Sequence, residues 1–313
     1  MAEAPAAALV ALADRAVLTV TGPPRLKFLH SILSNDVQAL KPGQGCRAAL
    51  MDVKGRLLAF VRVLVEPDAV RLEAAGGRRD AVEQALAHYR VATPVRFEQQ
   101  TDVVLAVVGP EAHAVLGRAG ADVPTLGPEA HLLVRIAGAP VRVVRAGDLP
   151  GDGFVLHVPA GAVEPVAAAL RAEGAFPATV ESLDAQRVEA GRPWYGPDVT
   201  EENLLHETGL LGEYHSATKG CYVGQEVVAR LEGRGGHVNK LLRGLKLSSP
   251  AAAGDAVTAG GKEVGRVTTA AVSSRFGPVA LAYVHRSRAE PGSAVEVGGA
   301  PAKVVDLPFA EPR

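Results

Sequence analysis

The chain has 313 residues, 48% of them hydrophobic and 4% aromatic, and its 33 basic and 34 acidic side chains leave a formal net charge of −1. This length predicts two or three domains with aliphatic cores, and the balanced charge excludes a nucleic-acid binder that works over its whole surface, though not a local basic patch. Two cysteines, Cys46 and Cys221, with no CxxC, exclude a disulfide scaffold and a four-thiolate site within one chain, and they suit a reducing cytosol.

In chain order, Glu3, Asp14 and Arg15 interrupt the apolar start, so no signal peptide is expected. No apolar run approaches the ~18–20 residues of a membrane span. The expectation is a cytoplasmic protein without a membrane partner. Residues 16–20 read as a strand. Pro23 and Pro24 suit the first turn of a helix running to about Ser34 and ended by Asn35 and Asp36. Strands follow near 47–52, 57–65 and 70–74, with a turn at Lys54 and Gly55. Val82, Leu86 and Tyr89 give 79–90 helical spacing, and 95–97 closes the unit. A second unit looks similar: a strand at 103–108, a helix at 111–119, strands near 132–136, 141–144 and 154–158, and a helix at 162–171. Two such units predict an internal duplication, without a repeat at residue level. A helix is expected over 179–191, stopped by Gly191, and 193–203 is rich in turns. From Lys240 short strands at 241–247, 263–269, 279–284, 295–297 and 302–305 alternate with Gly and Pro turns, which reads as a small barrel or sandwich. The expected domains are 1–100, 101–240 and 241–313.

The run Lys219-Gly220-Cys221-Tyr222-Val223-Gly224-Gln225-Glu226 concentrates the chemistry. Gly220 frees the backbone before the thiol. A helix over 223–231 would set Cys221 near its N-terminus, where amide donors and the dipole favour the thiolate. Lys219 would add positive charge. The competing reading is a small buried hydrophobe. Cys46, in GCRAALMD, lacks such surroundings and reads as structural. Downstream, Arg230, Arg234, Lys240 and Arg243 join Lys219 against Glu226 and Glu232, five cations and two anions, or +3, with His237 in addition. Gly233, Gly235 and Gly236 suggest a mobile basic loop that could clamp a polyglutamate tail, an RNA phosphate or an acidic partner. An ordinary solvated loop is the alternative. His206 and His215, nine apart, lack the spacing of a helical metal pair. No Walker A or Rossmann fingerprint is present, since GRGGH follows a helix and opens a strand.

KGCYVGQEVVAR resembles the signature of YgfZ-type folate-binding proteins, relatives of the glycine-cleavage aminomethyltransferases. PRLKFLHSILSNDVQAL resembles the superfamily's first helix, QRVEAGRPWYGPDV its folate-binding stretch, and GRVTTAAVSSRFGPVALAYV with VVDLPF its terminal barrel. The resemblance implies an α+β, aminomethyltransferase-like folate-binding fold: two related α+β domains plus a small C-terminal β-barrel around a central channel that holds tetrahydrofolate. It implies a factor that assists assembly or repair of iron–sulfur clusters in client enzymes, including tRNA-modifying ones. Cys221, with Lys219 beside it, would act as a transient cluster ligand or redox thiol. A single such thiol requires a cluster carrier or client protein as partner, and tRNA enters indirectly. Folate contacts are expected from Glu189, Arg187, Trp194, Tyr195, Tyr222, Gln225 and Arg230. A pterin presents a ring N–H beside an amino group, and one carboxylate accepts both, which favours Glu189. Arg187, two positions away, lies nearly opposite on the helix. Trp194 and Tyr195 are either stacking walls or apolar anchors.

One departure matters. Aminomethyltransferases carry paired aspartates after a Gly-Gly turn, and the corresponding stretch here is Lys54 to Phe60, with Ala59 and Phe60 in the acidic positions. Neither transfers a proton. The resemblance therefore implies folate binding without glycine-cleavage activity. A folate-dependent one-carbon transferase with altered chemistry and a tRNA- or protein-binding module are the competing readings.

Overall fold

The computed structural model describes residues 6–151 and 153–310. These form two compact units, one of residues 6–180 with 212–225 and one of 181–211 with 226–310.

The first unit holds two sheets. One has the strand order Gly45–Met51, Leu57–Val65, Ala69–Ala74, Ala16–Thr21, Arg96–Gln99. The other runs His131–Ile136, Ala139–Arg145, Phe154–Val158, Val103–Val108, Ala8–Ala11, Phe176–Ala178. Ranked along the chain, the first four strands of each sheet take the same order: second, third, fourth, first. The duplication is thus visible in topology, although the residues do not repeat. In the fifth place the second sheet uses Ala8–Ala11 from the start of the chain, antiparallel to Val103–Val108 and parallel to Phe176–Ala178. Neither Ala8–Ala11 nor Phe176–Ala178 was legible as a strand, because alanine and proline carry little strand propensity and pairing on both sides decides the matter for Ala8–Ala11.

Each sheet covers an aliphatic core. Leu18, Leu50, Val61 and Leu72 face the helices Arg25–His30 and Arg79–Arg90 through Leu29 and Leu86. Val107, Val143 and Leu156 face Ala112–Arg118 and Val163–Ala172 through Leu116 and Leu170. Each such side chain contributes about 1.5–3 kcal/mol of burial. The first helix stops at His30, before the expected Ser34. Ser31 Oγ donates to the Phe28 carbonyl at 2.7 Å, a local bond that competes with helix continuation.

The second unit is a closed six-stranded barrel in the order Lys240–Leu247, Gly277–His285, Lys262–Ser273, Ala256–Ala259, Ala294–Val297, Ala300–Val305. Leu245, Val257, Val284 and Val304 fill its interior. The helix Asp184–Glu189, shorter than expected and preceded by a 3-10 turn at Glu181–Leu183, lays Val188 on Leu242, Leu281 and Phe309. Gly191 ends it at φ +63°, and a Cβ there would meet Leu307 Cβ at 2.7 Å. Among the described residues, no helix is long and apolar enough to cross a membrane.

Candidate functional site

Cys221 is exposed. Its segment is pinned on both sides. Val223 packs on the core of the first sheet, and Gly224, at φ +83°, lies so close to the turn after Met51 that a Cβ would meet the Asp52 carbonyl oxygen at 2.8 Å. The helix begins only at Gln225, so the thiol lies four residues before it and outside the first-turn amides expected to bind it. Gln225 instead closes the turn, its Oε1 accepting from the Tyr222 amide at 3.3 Å.

Lys219 also departs from expectation. Its ammonium donates to the carbonyls of His30 and Leu33, at and just past the end of the first helix, and lies 4.9 Å from the centre of the Tyr222 ring. Burial lowers its pKa to about 8. The lysine fastens the Cys221 segment to a helix end rather than serving as a free cation for a thiolate. Tyr222 is buried between it and the His215 ring, 5.7 Å away. Cys46 is structural as read: it packs on the same core, and burial pushes its thiol up to about 12.

The expected basic loop does not assemble. Arg230 pairs with Glu226, Arg243 donates to the Ala289 carbonyl at 2.8 Å, and Lys240 lies over the Tyr283 ring. The glycines wind the helix end into hydrogen-bonded turns, with the Gly233 amide on Ala229 and the Gly236 amide on Leu231. Arg234 is exposed.

In the folate-like stretch the roles separate. Arg187, 1% exposed, donates to Asp184, Asp198, Thr269 and the Arg192 carbonyl and covers the Trp194 ring at 4.9 Å. Every guanidinium nitrogen is committed, so Arg187 holds the fold and has none left for a ligand. Tyr195 is buried, an anchor rather than an open wall. Glu189 differs. Its side chain is 16% exposed, its backbone carbonyl takes the Phe309 amide, and its carboxylate has the Arg275 guanidinium at 3.8 Å, beyond hydrogen-bond reach.

The structure adds a feature that motif reading missed. Strand register sets Arg47 opposite Arg62 and Arg62 opposite Glu73, and all three face a buried ionic cluster with Arg15, Glu129, Asp148 and His157. Arg62 reaches Glu73, Glu129 and Asp148 together. Glu73 also takes Arg15 and His157, each within 2.8 Å. Burial pushes Glu73 up, but Arg62, the His157 hydrogen bond and Arg15 hold it well below the carboxylate range. Asp148 is likewise held at about 2 against burial by Arg15 and Arg62. Phe60 lines this cluster and packs on Tyr214 with ring centres 4.2 Å apart. The void left there is about 20 Å³, room for a single water. Ser34 Oγ donates to the Tyr214 carbonyl, and Asn35 Nδ2 donates to the carbonyls of Arg47 at 2.8 Å and of Glu213 at 3.4 Å. An arginine in the apolar run LLAFVRVLV was the available signal. Among the described residues, no group of three or more His, Cys, Asp or Glu gathers as a metal site.

Comparison with known proteins agrees with this architecture. Residues 5–212 match the GCVT N-terminal domain and residues 240–311 the glycine cleavage T-protein C-terminal barrel domain. An aminomethyltransferase of Thermus thermophilus is 33% identical over 93% of this chain and 83% of its own length. The tRNA-modifying protein YgfZ of Yersinia enterocolitica is 29% identical over 74% of this chain and 69% of its own. The crystal structure of aminomethyltransferase T from Bartonella henselae superposes with a TM-score of 0.87 at 24% identity, covering 98% of this chain and 87% of that one. The chain therefore belongs to the glycine cleavage T-protein (GCVT) family and has its fold, with a closed C-terminal barrel.

Proposed function

We propose that this protein binds a reduced folate through Glu189 and uses Cys221 as a thiol in the assembly or repair of iron–sulfur clusters on client enzymes, tRNA-modifying ones among them. The observation that carries the folate reading is the contrast within one short helix: Arg187 is wholly spent on the fold, while the Glu189 carboxylate is largely desolvated and hydrogen-bonded by no described residue. A carboxylate in that condition fits a heterocycle presenting two adjacent N–H donors. The bound folate would supply one-carbon or redox chemistry, and Glu189 would orient it.

Aminomethyl transfer is the second reading, motivated by the 33% identity to the Thermus enzyme. Phe60 argues against it, because a phenyl ring packed on Tyr214 supplies no proton acceptor. For cluster work the chain offers Cys221, exposed on a firmly seated segment, and the cluster is cargo completed by a partner's ligands.

The test is calorimetric titration of the purified full chain with 5-formyltetrahydrofolate. Wild type should bind, and Glu189→Ala should weaken binding by about 30-fold or more, as expected for losing a paired charge-assisted contact. Unchanged affinity removes Glu189 from the site. In cells lacking the protein, Cys221→Ala should fail to restore cluster-enzyme activity; equal rescue by variant and wild type removes the thiol role.

A further inference from the structure

The barrel unit carries a second concave site. A cleft of about 930 Å³ opens at the start of the strand Lys262–Ser273, between that strand, the end of Gly277–His285 and the loop at 197–203. Glu189 belongs elsewhere: its partner Arg275 follows the far end of the same strand. The volume is within the range of small-molecule sites.

Two of the residues that line this cleft, Tyr283 and Lys240, carry donors with no hydrogen-bond acceptor among the described residues. Tyr283 lines it and is 9% exposed, and its hydroxyl is buried with no hydrogen-bond partner among the described residues. A buried hydroxyl left unpaired is costly, so a ligand acceptor there gains more than at an exposed site. Burial, Glu207 and Asp198 push the phenol pKa up, which keeps it a donor. Lys240 lies 4.9 Å from the centre of the Tyr283 ring, and the Glu207 carboxylate is 3.9 Å away, outside hydrogen-bond range. Asp198 is already taken by Arg187, Thr268 and Thr269. The lining balances Lys240, Lys262 and Arg266 against Asp198, Glu202 and Glu263, with His285 beside them. Ala253, Val264 and Val267 supply apolar wall.

We infer that this cleft is a binding site for a small organic acid with an apolar body, its carboxylate shared between the Tyr283 hydroxyl and the Lys240 ammonium. The probe is dansylglycine, an aromatic carboxylate, titrated into the full chain. Its emission, excited by energy transfer from Trp194 or directly, reports binding, since Trp194 belongs to the loop that bears Asp198.

Saturable single-site binding is expected. Tyr283→Phe and Lys240→Gln should each weaken it about tenfold, as should replacing the probe by dansylamide, which lacks the carboxylate. Ala253→Trp, at an exposed lining position, should block the probe. Tyr283→Phe removes only the unpaired oxygen, so its folding is not in question. Excess 5-formyltetrahydrofolate should leave the probe in place. The inference is overturned by no saturation up to about 1 mM, by equal binding of dansylamide, by unchanged affinity in Tyr283→Phe, or by displacement with the folate. Displacement by the folate would merge the two sites; the other outcomes do not bear on Glu189→Ala.

Discussion

Replacing Arg62 by Met tests the buried ionic cluster directly. The arginine side chain is 3% exposed and contacts three carboxylates, those of Glu73, Glu129 and Asp148. Methionine fills comparable space, so the loss is electrostatic. Arg15 and Arg47 then face three carboxylates, which leaves one buried negative charge without compensation. Breaking a buried pair in this way costs about 3–5 kcal/mol. At roughly 2–4 °C per kcal/mol, the melting point should fall by about 6–20 °C.

The pH dependence gives the sharper readout. Glu73 and Asp148 have depressed folded-state values, Asp148 at about 2. Their stabilisation is complete above the ordinary carboxylate range and is lost as pH falls through the folded values. In Arg62→Met a carboxylate takes up its proton at higher pH, so the gap to wild type should be widest near neutrality and narrow toward about pH 3. Urea unfolding followed by far-ultraviolet circular dichroism at several pH values measures this. The double variant Arg62→Met with Glu129→Gln should recover part of the loss. A gap under about 1 kcal/mol at pH 7, or one that does not change with pH, refutes the reasoning.

Three further outcomes are expected. Iodoacetamide on the native protein, read by peptide mass spectrometry, should modify Cys221 and spare Cys46 until unfolding; equal labelling would contradict the burial that raises Cys46 to about 12. Gly224→Ala should cost about 1–3 kcal/mol, because φ +83° and the Asp52 carbonyl both oppose a Cβ, and wild-type melting would place the strain elsewhere. With Lys219 lowered to about 8, the unfolded chain binds more protons than the folded one between about pH 8 and 10.5, so stability should rise with pH across that window; Lys219→Met should flatten the rise, and an unchanged slope would show that Lys219 is not its source.

Regular elements with strong periodicity were legible. The strands Leu57–Val65, Val103–Val108 and Phe154–Val158 and the helix Arg79–Arg90 fall where near-continuous apolar runs or 3.6-residue spacing set them. Ala8–Ala11 and Phe176–Ala178 were not, since long-range pairing rather than composition makes them strands. At the site, the packing of Cys46 beside a strand could be read locally, whereas the helix start expected at Cys221 could not, since the helix begins at Gln225. Lys219, Arg187 and Tyr222 could not, because their partners lie far along the chain or fold back from it: the Lys219 ammonium meets carbonyls 186 and 189 residues away. The ionic cluster was hidden for the same reason. Sequence showed an arginine inside an apolar strand, while register and the second sheet supplied its counter-charges.

The strand Ala8–Ala11 sets a timetable for the nascent chain. It leaves the ribosome before any other strand of its sheet, yet its parallel neighbour starts at Phe176, roughly 165 residues later. At about 5–20 residues per second this is a wait of roughly 8–30 s. Over that interval the sheet of residues 16–99 can close and Ala8–Ala11 can pair with Val103–Val108, while its other edge stays open. Deleting the first dozen residues should leave that early sheet intact and strand Val103–Val108 with a bare edge, a template for pairing between chains.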